Sequence, residues 1–482
     1  MQQLSGLDGA FLAMETSSVF GHVGSICIVD PTTSTVPLTL ARLSELVGSR
    51  LHLVPPFQRR LAEVPLGLDQ PYWLEDPDFD LEYHVREIAL PAPGTDTMLA
   101  EQAARLHARP LDRARPLWEM YLISGLSGGR MAVYTKVHHA AIDGVSGADI
   151  LGTMLDTTPE PREVQAPPNR VVDRMPSPIE LLTRSALSLT RQPLRAARVS
   201  LELLRAAPAL ARSPGRPQLP VIDDLLDRAR SRSAVLERPH LRAPRTPFNR
   251  PITPHRRWAF FDVPLADVKV IKNAAGVTVN DVVMALCAGA LRRWLIQHDA
   301  LPTEPLVAGI PVSVRTESQK GTGGNRVSAM LAALPTEQPD PLLRLQAVTK
   351  ATKMAKQQHG ALPADLLSDV TAFAMPALAG QAARLAARLR LVERISPFNL
   401  IISNVPGPNI TLYYAGAEML SYYPLSAIAD GQGLNITVMS YRDQMHFGLI
   451  ACRELVPDLD TMATYLQHEV QVLLESLNAK RL

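Results

Sequence analysis

The run His138-His139-Ala140-Ala141-Ile142-Asp143-Gly144 gathers two imidazoles, a carboxylate and a glycine in the form H-H-x-x-x-D-G. Average residue usage makes a chance match in a chain of 482 residues roughly a one-in-a-thousand event. The run directly follows a strand-like stretch, Met131 to Val137. An imidazole at the end of a buried strand is placed to act as a general base in a cleft. That chemistry suits acyl transfer from a thioester to a hydroxyl. An alcohol holds its proton far above neutral pH, so a base must take it during attack, and imidazole is neutral and competent there. A thioester is already activated, so one base and a polar group near the developing oxyanion suffice. Neighbours on a strand point to opposite faces, so one of the two histidines at most faces the cleft squarely. His139 is the expected base and His138 its support.

Asp143 has two readings. It orients His139, as in a triad, or it turns inward and holds the loop through an arginine. The second is favoured, because a buried carboxylate needs a charged partner. Arg315, closing the apolar run Leu306 to Val314, is the candidate partner. Gly144 suits a tight turn or a positive φ. The plain alternative for the whole run is a core histidine pair in a strand-to-helix corner. Gly125-Leu126-Ser127-Gly128-Gly129 fits G-x-S-x-G, but a nucleophile elbow lies between a strand and a helix. This one lies between two strand-like runs and reads as a hairpin turn. A metal site on His139 and Asp143 lacks an evident third ligand. Gly321-Thr322-Gly323-Gly324 precedes a strand rather than a helix, which argues against a phosphate loop.

The elements that must position these residues follow from hydrophobic periodicity. Strands are expected at His22–Asp30, Trp118–Ser124 and Met131–His138, and helices at Leu38–Leu51, Met98–Ala108 and Ser146–Asp156. From Thr158 to about Pro254 the chain turns rich in Pro and Arg. Between Thr183 and Arg216 seven arginines face one acid, with leucines interleaved at helical spacing. This reads as a helical, partly exposed linker, a membrane-surface helix or simply a solvated face. Order resumes with strands at Arg257–Val263, Leu306–Val314, Val327–Leu334, Phe398–Asn404, Gly433–Tyr441 and Gln444–Cys452. Helices are expected at Val279–Trp294, Pro341–Lys356, Pro363–Leu391 and Asp458–Leu477, with Asn280 in the N-cap position. Both halves mix strands with helices, which predicts an α/β protein of two layers packed edge to edge. The boundaries are an N-terminal domain over 1–175, a linker over 176–255 and a C-terminal domain over 256–482.

Composition narrows the function. This length implies two or more domains. A net charge of +2 gives no reason to expect nucleic acid as a partner. Cys27, Cys287 and Cys452 are scattered, which fits a reducing, cytoplasmic setting and argues against a disulfide framework or a zinc site. Neither a signal peptide nor an apolar stretch of membrane-spanning length is evident. A lipid substrate must therefore be met at a surface.

The chain resembles the bacterial wax ester synthase/diacylglycerol acyltransferase family over nearly its whole length. The resemblance is carried by Leu4-Ser5-Gly6-Leu7-Asp8, by Pro110-Leu111-Asp112-Arg113 through Pro116-Leu117-Trp118-Glu119, and by His138-His139 to Asp143-Gly144. It continues in Val279-Asn280-Asp281-Val282, Pro311-Val312-Ser313-Val314-Arg315, Gly324-Asn325-Arg326-Val327-Ser328 and Ser403-Asn404-Val405-Pro406-Gly407-Pro408. It implies two domains like chloramphenicol acetyltransferase and peptide-synthetase condensation domains, with a tunnel between them. Acyl-CoA and a diacylglycerol or fatty alcohol acceptor would enter from opposite ends. The family's base maps to His139, and its Asn-Asp pair maps to Asn280 and Asp281. No cofactor is implied, acyl-CoA being a co-substrate. The expected setting is the inner face of the membrane or a lipid droplet, with contact at the surface alone. Phe20-Gly21-His22-Val23 departs from the Pro-Met-His-Val type of run in many members, which bears on the acceptor pocket.

Some of these residues also have simpler readings. Asn280 caps a helix, Pro116-Leu117-Trp118 is packing, and Ser403 and Asn404 end a strand or reach the substrate. Two other functions stay open. One is a catalytically silent lipid-binding paralogue. The other is a condensation-type enzyme using carrier-protein thioesters.

Overall fold

In the computed structural model the described residues are 1–142, 152–165, 174–185, 243–313, 327–359 and 397–479. The N-terminal half forms β1 (Gln2–Gln3), β2 (His22–Asp30), β3 (Arg59–Ala62), β4 (Tyr72–Glu75), β5 (Val85–Ala89), β6 (Trp118–Ser124) and β7 (Met131–His138). The C-terminal half adds β8 (Arg256–Pro264), β9 (Leu306–Ser313), β10 (Val327–Leu334), β11 (Leu400–Val405) and β12 (Tyr413–Tyr414). It ends with β13 (Ala417–Leu425), β14 (Leu434–Tyr441) and β15 (Gln444–Cys452). Two six-stranded sheets result, ordered β12-β13-β2-β7-β6-β5 and β10-β9-β11-β14-β15-β8, beside a small sheet β1-β4-β3.

The motif-bearing strand β7 sits inside the first sheet, antiparallel to both β2 and β6. Its alternation sorts the side chains. Val133 and Val137 join an apolar core with Leu117, Trp118 and Met120, under the helix Leu40–Arg50. Tyr134, Lys136 and His138 are buried on the opposite face. In the second sheet β9, β11 and β14 run parallel. The apolar run Leu306-Val307-Ala308 suits a strand buried on both faces. Helices Leu265–Ala275, Val279–Gln297, Pro341–His359 and Leu459–Ala479 complete this half, and their buried faces share one core with it.

The linear boundary at 256 does not follow the sheets. Residues 413–425 lie in the C-terminal half, yet β13 pairs antiparallel with β2 and completes the N-terminal sheet. Phe248, assigned above to the linker, is fully buried in the C-terminal core. Asn249 ties that segment down through bonds to the carbonyls of Asn399 (2.8 Å) and Gly431 (2.6 Å). The expected helix Ser146–Asp156 is helical at 152–154 and has ended at Leu155. Asp156 instead bridges Tyr413 and forms a buried bidentate pair with Arg50 at 2.7 Å. The strand β5, the helix Leu265–Ala275 and the strands β12 and β13 were not expected. Residues 186–242 of the linker, the helix Pro363–Leu391 and the Gly321–Gly324 turn lie outside the described residues, apart from the linker's helical start at 178–185.

Arg50 also donates to the carbonyl of Met154 at 2.7 Å, so one guanidinium joins the helix Leu40–Arg50 to the segment after the motif. Breaking a buried pair leaves an uncompensated charge. Asp156→Ala is expected to lower stability by about 3–5 kcal/mol in chemical denaturation. Glu101→Ala, which breaks an exposed pair with Arg105, is expected to cost about 0–1 kcal/mol. Equal losses in the two variants would refute the role given to Asp156.

Candidate active site

His138 is the last residue of β7, and His139 opens a short 3-10 turn, His139–Ile142. The backbone fixes this turn at both residues. His138 N–H donates to Leu117 O at 2.9 Å, and His139 N–H donates to Gly21 O at 2.8 Å. The two rings therefore leave the chain in different environments.

His138 is fully engaged. Its Nδ1 accepts the backbone N–H of Ala140 at 3.1 Å, so that nitrogen carries no proton. Its Nε2 lies 3.1 Å from Glu15 Oε1 and donates to it. Neither nitrogen of His138 is left to take a proton from a substrate. Glu15 accepts in turn from Gly21 N–H at 2.8 Å and from Arg113 at 2.8 Å and 3.2 Å. Burial raises the Glu15 carboxyl, but His138, the Gly21 N–H and Arg113 outweigh it and bring it down to about 2. Gly21 must be glycine, because a Cβ there would stand 2.5 Å from His138 Nε2.

His139 stacks on Phe11 with ring centroids 4.3 Å apart. Phe11 lies on the helix Gly6–Ala13, which starts where Ser5 Oγ accepts Asp8 N–H at 3.2 Å. Burial pushes the His139 imidazole down to about 4. The ring is therefore neutral at pH 7, the form a general base requires. Beneath the turn lies a small, largely apolar cavity of about 70 Å³ lined by residues including Ile142, Val137, Met154 and Tyr422.

The other expected residues are placed as follows. Leu117 and Trp118 are fully buried. Trp118 stacks on Phe57 at 4.6 Å and donates Nε1–H to Phe57 O at 2.8 Å. Pro116 O receives the Trp118 N–H at 2.9 Å. Asn280 is not the N-cap of its helix. Thr278 is, in a capping box with Asp281, because Thr-Val-Asn-Asp supplies a hydroxyl and a carboxylate at the spacing the box requires. Asp281 is buried and also accepts from Thr352 at 2.5 Å. Asn280 is half-buried in the first turn. Ser403 and Asn404, both half-buried, sit on β11 opposite Thr437 and Val438 of β14. Asp143, Gly144 and Arg315 lie outside the described residues, and so does the expected Asp143–Arg315 pair. No cluster of three metal-ligating side chains occurs among the described residues. Ser127 sits in the β6–β7 hairpin turn, beside Gly128 at a φ of 74°.

Sequence reasoning missed Glu15, Arg113 and Phe11 as parts of the site. Arg113 lay in a recognised motif without a role. Glu15 had no signal at all, since an isolated acid gives no hint of a partner far along the chain. His22, in the departing segment, is buried, and its Nε2 meets His107 O at 2.8 Å. Burial drives its imidazole well below the ordinary range, so it too is neutral.

Because the folded-state pKa of Glu15 is depressed, its stabilisation is present above about pH 4.5 and is lost as pH falls toward 2. The shift corresponds to roughly 3 kcal/mol. Glu15→Gln is expected to be less stable than the wild type at pH 7, with the gap narrowing steadily as pH falls below about 5. Denaturation midpoints measured across that range would show it, and a gap independent of pH would contradict it.

The site can be set beside known proteins. Residues 4–283 match the wax ester synthase/diacylglycerol acyltransferase catalytic domain, and residues 323–473 match the C-terminal domain of the same family. A Mycobacterium tuberculosis protein proposed as a diacylglycerol O-acyltransferase is 37% identical over 484 residues, covering 98% of this chain and 90% of its own. The wax ester synthase/diacylglycerol acyltransferase of Marinobacter aquaeolei superposes with a TM-score of 0.69 at 32% identity, over 99% of this chain and 100% of that one. The first condensation domain of the CDA synthetase shares the fold alone, with a TM-score of 0.53 at 16% identity over 99% of this chain and 95% of that one. The protein is thus a two-domain α/β acyltransferase, and the chain belongs to the wax ester synthase/diacylglycerol acyltransferase family.

Proposed function

We propose that this protein transfers a long-chain acyl group from acyl-CoA to the hydroxyl of diacylglycerol, and also to fatty alcohols, with His139 as general base. One observation carries the assignment: His138 has both ring nitrogens committed, while the adjacent His139 is held neutral by burial. The acceptor oxygen attacks the thioester carbonyl as His139 takes its proton. The tetrahedral intermediate then collapses, the C–S bond breaks, and the leaving CoA sulfur receives the proton from His139. Glu15 and Arg113 act at a distance, keeping His138 and the turn in place. Asn280, Asp281, Ser403 and Asn404 are proposed to support the substrates. Transfer is direct, within a ternary complex, because a thioester needs no further activation. The lipid-dissolved acceptor places the protein peripherally at the inner face of the membrane or on lipid droplets, drawn there by the arginine-rich stretch 183–216.

His139→Ala is expected to lower kcat by about 10²–10⁴ with the fold intact, whereas Ser127→Ala stays near wild type. Thioester release from palmitoyl-CoA, with diacylglycerol and fatty alcohol competing, reads both. Near-normal turnover by folded His139→Ala would remove it as the base. Turnover confined to carrier-protein thioesters would favour the condensation-type reading, and none with any thioester the silent lipid-binding one.

The base must be deprotonated, so kcat/KM is expected to fall as pH drops through about 4 rather than through 6.5. A rate profile already falling at the ordinary histidine value would contradict the buried, neutral ring. Initial rates against both substrates are expected to intersect, and parallel lines or a trapped acyl-enzyme would rule out direct transfer.

A further inference from the structure

Two large apolar side chains stand out among the described residues. Leu66 is 82% exposed and Ile179 is 74% exposed, against at most 54% for any other. Both flank one small cluster outside the main cores, formed by Ala62, Val64, Tyr72, Leu74 and Leu181, with Leu68 against it. Leu66 is held at the tip of the turn Pro65–Gly67 with a φ of 60°, a left-handed conformation that favours glycine or asparagine. A leucine kept in water at such a position is not explained by packing.

Ile179 lies on a helix over residues 178–185. Ser177 starts it, its Oγ accepting the Glu180 N–H at 3.2 Å and its own N–H donating to Glu180 Oε2 at 2.7 Å. Leu181 points into the small cluster, which turns Ile179 and Leu182 outward, and Met175 just ahead is 51% exposed. Beside Leu66 opens a cavity of about 670 Å³ whose lining includes Leu12, Val64, Glu15 and Arg113. The exposed apolar face therefore borders the carboxylate that holds His138. Beyond this helix the chain continues into the stretch where seven arginines face one acid.

We infer that Leu66, Ile179, Leu182 and Met175 form the face on which this protein sits on a lipid surface. The inference rests on the proposed lipid acceptor and names where that acceptor's surface is met. Three features favour a lipid over a protein partner. The residues project singly from a convex turn and a helix, as insertion into a fluid interface requires. The chain leaving the patch is strongly basic and complements anionic headgroups. No single helix among the described residues is long and apolar enough to cross a membrane, and a surface contact of this kind would serve a lipid-dissolved acceptor.

The test uses the full chain and the double variant Leu66→Asn, Ile179→Gln. Asparagine tolerates the left-handed backbone, and glutamine suits an exposed helix, so thermal midpoints should match wild type. Flotation on phosphatidylcholine vesicles, with and without phosphatidylglycerol, reads binding. Rates with vesicle-embedded diacylglycerol and with a short, water-dissolved alcohol read turnover. Binding is expected to fall about tenfold or more in the variant, with the vesicle-presented rate falling in step and the dissolved-alcohol rate unchanged. Equal flotation of the two proteins would overturn the inference. So would a change of oligomeric state by light scattering with flotation intact, which would assign the face to a second copy. Reduced flotation of the variant alongside no turnover by either protein would refute the acyl-transfer reading and leave the docking face standing.

Discussion

The carboxylate of Glu15 is the constraint on which the turn at His138 and His139 depends. A buried carboxylate is tolerated only when donors surround it, and here an imidazole, a backbone N–H and a guanidinium supply them. Each bond has a consequence beyond its own energy. Accepting the Nε2–H of His138 leaves Nδ1 to receive Ala140 N–H, which shapes the turn. Receiving Gly21 N–H fixes the residue just before β2 whose carbonyl holds His139 N–H. His139 is thus placed by groups on three other segments of the chain.

The two faces of β7 divide structure from chemistry. One face closes an apolar core. The other carries a polar network in which Lys136 and Glu119, cross-strand partners, meet at 3.1 Å. Lys136 also donates to Leu106 O and Arg109 O, holding the end of the helix Asp96–His107 and the approach to Arg113. His107 meets Tyr134 at 3.0 Å on the same face. Such groups are stable in a low-dielectric interior only when satisfied, and a satisfied network is rigid.

The strand exchange gives the two halves a common fate. β13 lies next to β2, itself next to β7, so the sheet that bears the site is finished by chain from the far half. A carbonyl of the same strand, Pro424 O, passes so close to Gly448 on β15 that a Cβ there would meet it at 1.9 Å. The junction between the halves is therefore tightly packed along this strand, and the site cannot be assembled from the N-terminal half alone.

Much of this was legible in the residues. The strands β2, β6, β7, β10 and β15 and the helix beginning at Val279 lie where periodicity puts them, because alternation and helical spacing are local properties. The motif His138 to Gly144 and the ordered set of motifs along the chain were enough to place the family. The cap of the helix at Val279 is equally local: the Thr278–Asp281 pair carries it, two residues ahead of Asn280. Other features could not have been read in advance. That both ring nitrogens of His138 are engaged depends in part on Glu15, 123 residues away from it. The pairing of β13 with β2, the burial that keeps His139 neutral and the Arg50–Asp156 pair are likewise contacts between distant segments. The sequence by itself determined the chemistry on offer, because residue type and short spacing are written along the chain. Only the tertiary structure decided where the proton resides, because that depends on which donors and acceptors folding brings within hydrogen-bond distance.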